Sequence, residues 1–201
     1  ISNNYISLSG EYVNSWININ ANVYSNWFRN KIEGMWSNDQ TELHYINIGK
    51  SRLAGVETMC KIQINRHINV HGAYNYLYTS KDADGVRLSS SSPHSGNIRA
   101  EYNTRIPRYA TVVNLSGNIM GKKKFDVLDE LEIDGKKVEA YYQAKVNPYC
   151  LWDLTVSQYI MQNLRITAGI TNLFDYTSDR VTFNTSTSPG RNYFIACNYT
   201  L

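Results

Sequence analysis

Polarity in this chain alternates residue by residue through long stretches, and the breaks between stretches are short and long in turn. Val56, Thr58, Cys60, Ile62 and Ile64 fall on one phase, with Glu57, Met59, Lys61 and Gln63 on the other. After Asn65 to His67, the pattern resumes with Ile68, Val70, Gly72, Tyr74, Tyr76 and Tyr78 against Asn69, His71, Ala73 and Asn75. A period of two places successive side chains on opposite faces of a pleated strand. Stretches of about ten such residues are long enough for tilted strands to cross a bilayer.

The pattern predicts about nine strands, at roughly 4–13, 16–32, 42–64, 68–80, 95–104, 109–121, 149–159, 164–172 and 190–201. The breaks at Asn14-Ser15, Asn65 to His67, Thr104 to Arg108 and Met161 to Asn163 are short. Those at 33–41, 81–94, 122–148 and 173–189 are long and rich in Gly, Ser, Asp and Lys. Tight turns at one end and large loops at the other are the layout of an outer-membrane barrel. The 122–148 segment reads as a β-hairpin turning at Asp134-Gly135.

The same face recurs from strand to strand. Ile17, Ile19, Ala21 and Val23 oppose Asn18, Asn20 and Asn22, and Trp152, Leu154 and Val156 oppose Asp153, Thr155 and Ser157. In the last strand Tyr193, Ile195, Cys197, Tyr199 and Leu201 alternate with polar or small residues, Phe194 being the exception. A soluble sandwich would show the same alternation with its apolar face inward, so periodicity does not choose the solvent. Aromatic placement favours lipid. Tyr12, Trp16, Tyr102, Tyr109, Tyr159 and Tyr199 cluster near the short turns, and Tyr76, Tyr78, Tyr149, Trp152 and Tyr193 near the long loops. Two such belts suit the two headgroup zones.

Composition removes other classes. Mean hydropathy is −0.43, and no run approaches the ~18 apolar residues of a membrane helix. Twenty basic and 17 acidic residues give a net charge of +3, too balanced to point to nucleic acid. Cys60, Cys150 and Cys197 lie on the apolar phase without Cys-x-x-Cys spacing and read as small hydrophobes. His67 and His71 straddle a turn, while His44 and His94 fall on or near the long-loop side. Asp82 to Gly85 resembles part of a calcium loop, but Pro93 stands where the bidentate Glu belongs. Gly121 to Lys124 lacks the rest of a phosphate-binding loop and reads as solvated or as facing lipopolysaccharide phosphates. No nucleophile elbow or zinc-protease motif occurs. The expectation is a protein that is not an enzyme and holds no metal or cofactor.

Asn172-Leu173-Phe174-Asp175, then Pro189-Gly190-Arg191 and a terminal alternating strand, resemble the C-terminal signature of TonB-dependent outer-membrane receptors. Tyr45 to Lys50, Gly55 to Glu57 and Tyr74 to Thr79 follow the order of that family's strand landmarks, so the resemblance covers about residues 42–201. It implies an all-β, antiparallel transmembrane barrel of 22 strands, of which residues 1–201 supply about nine as the C-terminal portion. The plug domain and N-terminal strands would lie outside this sequence. It further implies residence in the bacterial outer membrane and energised import of an iron-siderophore, haem, cobalamin or glycan. The TonB energy complex would act through the missing plug, with membrane lipids and lipopolysaccharide as surroundings.

Strand parity agrees with an incomplete barrel: nine strands leave a free edge, whereas a closed bacterial barrel needs an even count. Asn172 and Asp175 read as turn formers that bond their own backbone. Glu57, Lys61, Arg99, Glu101 and Asp153 carry charge on the inward phase and are the expected lumen-facing groups, in contact with the plug or ligand. His94, Tyr141, Tyr142 and Arg191 are the expected ligand contacts from the extracellular loops. The competing readings are a passive porin or adhesin barrel and a soluble β-sandwich binding module.

Overall fold

The structure is a computed structural model that describes residues 2–36, 42–80, 92–104, 106–133, 136–161, 163–177 and 190–200. Among the described residues there are eleven strands: β1 (Ser2–Val13), β2 (Ile17–Trp36), β3 (Leu43–Gln63), β4 (Ile68–Thr79), β5 (His94–Asn103), β6 (Thr111–Met120), β7 (Lys123–Ile133), β8 (Lys136–Val146), β9 (Tyr149–Ile160), β10 (Leu164–Thr171) and β11 (Asn192–Tyr199). Nine form one antiparallel sheet in the order β1-β2-β3-β4-β5-β6-β9-β10-β11, and β7 and β8 pair as a separate hairpin. Chain order equals spatial order, apart from the inserted hairpin. This is a meander, the up-and-down connectivity of a barrel wall. The sheet is open, with β1 and β11 at its edges.

Register carries each face across the whole wall. One line of pairs joins Ile17, Ile62, Val70, Ala100, Leu115, Leu154, Ile170 and Tyr193. The line beside it joins Asn18, Lys61, His71, Arg99, Ser116 and Asp153 on the opposite face. A slip of one residue would exchange the two faces, so an apolar row across eight strands fixes the register.

The rows also climb. Tyr12, beside the β1–β2 turn, shares a row with Ile19, Cys60, Gly72, Ile98, Gly117 and Trp152. Trp152 stands most of β9 away from its own turn at Met161. Ladder rows run perpendicular to strands, so a row that leaves the rim means strands tilted against the axis. Closed barrels require that stagger.

Short turns are built by asparagine. Asn14 Oδ1 accepts from the backbone N–H of Trp16 and Ile17, both at 2.9 Å. Asn65 Oδ1 accepts from those of His67 and Ile68, at 2.8 and 2.9 Å. Each side chain replaces a backbone acceptor and closes the turn. At the other end β2 runs beyond the predicted 32 to Trp36, where it pairs with Leu43 at the expected start of β3. Asn30 takes a φ of 54° within this hairpin. The hairpin expected at 122–148 is also present, as β7 and β8, and β7 comes close to β2. Its turn, Asp134-Gly135, lies outside the described residues, as do Asp82 to Gly85 and Pro189.

The described residues enclose no sealed interior. Among the described residues Val146 is the one buried hydrophobic side chain, while Ile119 and Val156, in the middle of the sheet, are 48% and 39% exposed. A soluble sandwich would cover that face with a second sheet. Phe194, the exception to alternation, is explained by its partner: it lies over Gly169 across the β10–β11 pair. Trp152 covers Gly117 in the same way on the aliphatic face. An aromatic ring fills the gap that a strand glycine leaves.

Candidate functional site

The polar face of the wall collects the charged residues that the alternation singled out. Lys61 pairs with His71 and His71 with Arg99, so three basic groups stand side by side on β3, β4 and β5. Arg99 is held in place: its Nε and Nη2 donate to Asn114 Oδ1 at 3.2 and 2.9 Å, and Nη2 reaches Glu101 at 3.4 Å. Glu57 accepts from Asn22 Nδ2 at 3.4 Å and lies opposite Asn75. With Asn20, Asn97, Asn118 and Tyr149 it lines a concavity of about 650 Å³. Asparagine dominates this lining, presenting both a donor and an acceptor from each amide.

Asp153 belongs to the same face but is already engaged. Its Oδ1 accepts from the backbone N–H of Asn172 at 2.8 Å. Asn172 is buried, at 4% exposure, with a φ of 52°. Its amide donates to the Tyr176 carbonyl at 2.7 Å and accepts from the Tyr176 N–H at 2.8 Å. Asp175, at a φ of 57°, accepts from the Arg191 N–H at 2.7 Å. The Asn-Leu-Phe-Asp motif is therefore a brace. It ties the top of β10 to β9 below and to the start of β11 beyond, as turn formers with local backbone bonds do.

The remaining candidates are dispersed. His94 sits on the aliphatic face opposite Tyr76; its Nδ1 is 2.7 Å from the Tyr74 hydroxyl, and its ring packs on both tyrosines. Arg191 is exposed at the entry to β11. The Tyr193 hydroxyl, then the Asp175 carboxylate, push its guanidinium above the ordinary arginine value. Tyr141 and Tyr142 are on β8, opposite Leu128 and Val127, and their side chains fall outside the described residues. The structure thus puts the five polar-face residues on one face of the sheet, with His94 on the other face and Arg191 at the entry to β11.

His44 is 3.4 Å from Glu42, and His67 accepts from Arg66 Nε at 2.8 Å while its Nδ1 meets the Asn103 carbonyl. Among the described residues no group of three His, Cys, Asp or Glu could hold a metal. Cys60, Cys150 and Cys197 are free thiols. Sequence reasoning missed the asparagine ladder and the clamp on Asn172, although the alternating Asn18, Asn20 and Asn22 already signalled the first. Tyr149 and Tyr159 fall on the polar phase, opposite Met120 and Arg165. The outward aromatic belts are smaller than chain position alone suggested.

Comparison with known proteins gives this two-faced wall its class. Residues 1–173 match the family described as TonB dependent receptor-like, beta-barrel, and the chain belongs to that family of bacterial outer-membrane β-barrels. The siderophore receptor PirA from Acinetobacter baumannii superposes with a TM-score of 0.73 at 16% identity, over 98% of this chain and 31% of that one. The FrpB iron transporter from Neisseria meningitidis (F3-3 variant) gives 0.72 at 11%, over 98% and 31%. The ferripyoverdine receptor of the outer membrane of Pseudomonas aeruginosa gives 0.69 at 18%, over 98% and 26%. At these identities the likeness is one of fold, and the chain spans about a third of the receptors' length. The family is one of transport receptors.

Proposed function

We propose that this chain forms part of the wall of an active importer, in which the polar face lines the lumen and a large, scarce nutrient passes with TonB-coupled energy. An iron chelate is the preferred cargo; haem, cobalamin and glycans share the same requirement for a wide, polar passage. What carries the reading is the sorting of charge and amide groups onto one face: Asn18, Lys61, His71, Arg99, Ser116 and Asp153 form one row across six strands, and Glu57 with Asn20, Asn22, Asn75, Asn97 and Asn118 lines the concavity beside it. A face of that polarity belongs against water, a plug domain or cargo rather than acyl chains. The similar proteins are a siderophore receptor, an iron transporter and a ferripyoverdine receptor, which favours iron for the first trial.

Glu57, Lys61, Arg99 and Glu101 then serve as wall contacts to a plug or to passing cargo, with Asp153 bracing the rim. His94, Tyr141, Tyr142 and Arg191 remain the loop-side candidates for ligand capture. In cells carrying the receptor, uptake of a radio-iron-loaded catecholate siderophore should saturate and stop when TonB is deleted. Haem and cobalamin are run alongside as alternative cargo. Uptake of every probe that continued unchanged without TonB would identify a passive pore instead.

A further inference from the structure

A second feature lies on the other face of the same wall, at its long-loop end. Arg29 pairs directly with Lys50, and Arg52 follows on the same phase, opposite Trp27. All three cations are exposed. Like charges placed directly opposite each other across two strands repel, and among the described residues neither Arg29 nor Lys50 makes an ion pair. The first acid on that phase, Glu33 opposite Ile46, stands two rungs higher. Arg52 is oriented: Nε donates to Ser25 Oγ at 2.9 Å, and the guanidinium lies 5.1 Å over the Trp27 ring. Among the described residues its terminal donors make no hydrogen bond. These side chains, with Asn4 and Ser80, line a cleft of about 560 Å³.

Depth identifies the surroundings. Ile17, Ile19, Ala21 and Val23 occupy the same phase of β2 below this cluster. At ~3.3 Å per residue and a tilt of ~45°, the run from Ile17 to Trp27 rises about 23 Å. That is close to the ~25 Å apolar band of an outer-membrane barrel. Trp27 therefore falls at the interface, and Arg29, Lys50 and Arg52 at the level of the headgroups. A cationic cleft there, without an ion pair to Arg29 or Lys50 among the described residues and roofing an aliphatic strip, fits a ligand with acyl chains below and phosphate above.

We infer that Arg29, Lys50 and Arg52 form a site for the phosphate of a phosphorylated glycolipid in the outer leaflet. The site is separate from the polar face that carries transport, and also from Lys122 to Lys124, where burial lowers the Lys123 amine below the usual lysine value. The test uses the full receptor in phosphatidylethanolamine vesicles with 10 mol% bisphosphorylated lipid A, lipid A stripped of phosphate, or inorganic phosphate in solution. Bound glycolipid is counted by native mass spectrometry. The wild type should retain lipid A at least tenfold better than the phosphate-free form. The Arg29→Gln, Lys50→Gln double variant should lose that preference, and Arg66→Gln, in the β3–β4 turn at the opposite rim, should keep it. Thermal melting of each protein verifies folding. Equal retention of lipid A by the folded double variant, or of lipid A and its phosphate-free form by the wild type, overturns the site. Protection by inorganic phosphate equal to that by lipid A overturns the lipid assignment.

Discussion

Replacing Leu154 by Arg is expected to cost about 2–4 kcal/mol of folding stability in a bilayer, the price of a cation at mid-depth on a lipid-facing strand. Leu154 lies near the middle of β9, between Leu115 and Ile170 on the aliphatic face. Its neighbour Thr155 points the other way, opposite Asn114 and Gly169, and Thr155→Arg should cost no more than about 1 kcal/mol, because it puts the charge on the polar face and neither opens a cavity nor strands a cation in hydrocarbon. Urea titration of each variant refolded into vesicles measures the difference. The contrast between adjacent residues matters more than either value. Equal losses at the two positions would mean that both faces meet the same medium.

Asn172→Ala should be the most damaging change at the rim. It removes both side-chain bonds to the Tyr176 backbone, at about 1 kcal/mol each. It also puts a residue with a Cβ and no local hydrogen bond at a φ of 52°, for about 1 kcal/mol more. The expected total is about 3 kcal/mol. Asn172→Gly relieves the backbone but not the hydrogen bonds, and should recover about a third of it. Hydrogen exchange at the Leu173 N–H, which donates to the Trp152 carbonyl at 2.6 Å, reads the opening of the brace. Wild-type protection in the alanine variant would show that the motif is not what holds β9, β10 and β11 together at that end.

Much of this architecture was legible because period-two alternation is written in single residues. The phases of β3, β4 and β9 could be read from Val56, Val70 and Leu154, and the register confirms each. The polar-face set of Glu57, Lys61, Arg99, Glu101 and Asp153 followed from the same parity. Parity says nothing about depth or about contacts, and there the sequence was silent. The role of Asp153 as acceptor for the Asn172 N–H depends on how β9 and β10 are staggered. Phe194 broke the alternation until its partner across the ladder proved to be Gly169. The start of β3 at Leu43 was legible, but the continuation of β2 to Trp36 was hidden because residues 33–36, Glu-Gly-Met-Trp, do not alternate cleanly. The Arg29–Lys50–Arg52 cluster is split between two strands and becomes one site only once they pair.

The most direct measurement places a nitroxide spin label in turn at Leu154 and at Thr155, with the native cysteines replaced, and compares collision with oxygen, which concentrates in hydrocarbon. A label at 154 should show the high oxygen accessibility of the acyl region and one at 155 a much lower value. A label at 154 that is shielded from both oxygen and water-soluble quenchers would place the aliphatic face inside a protein core, and the membrane wall described above would not exist.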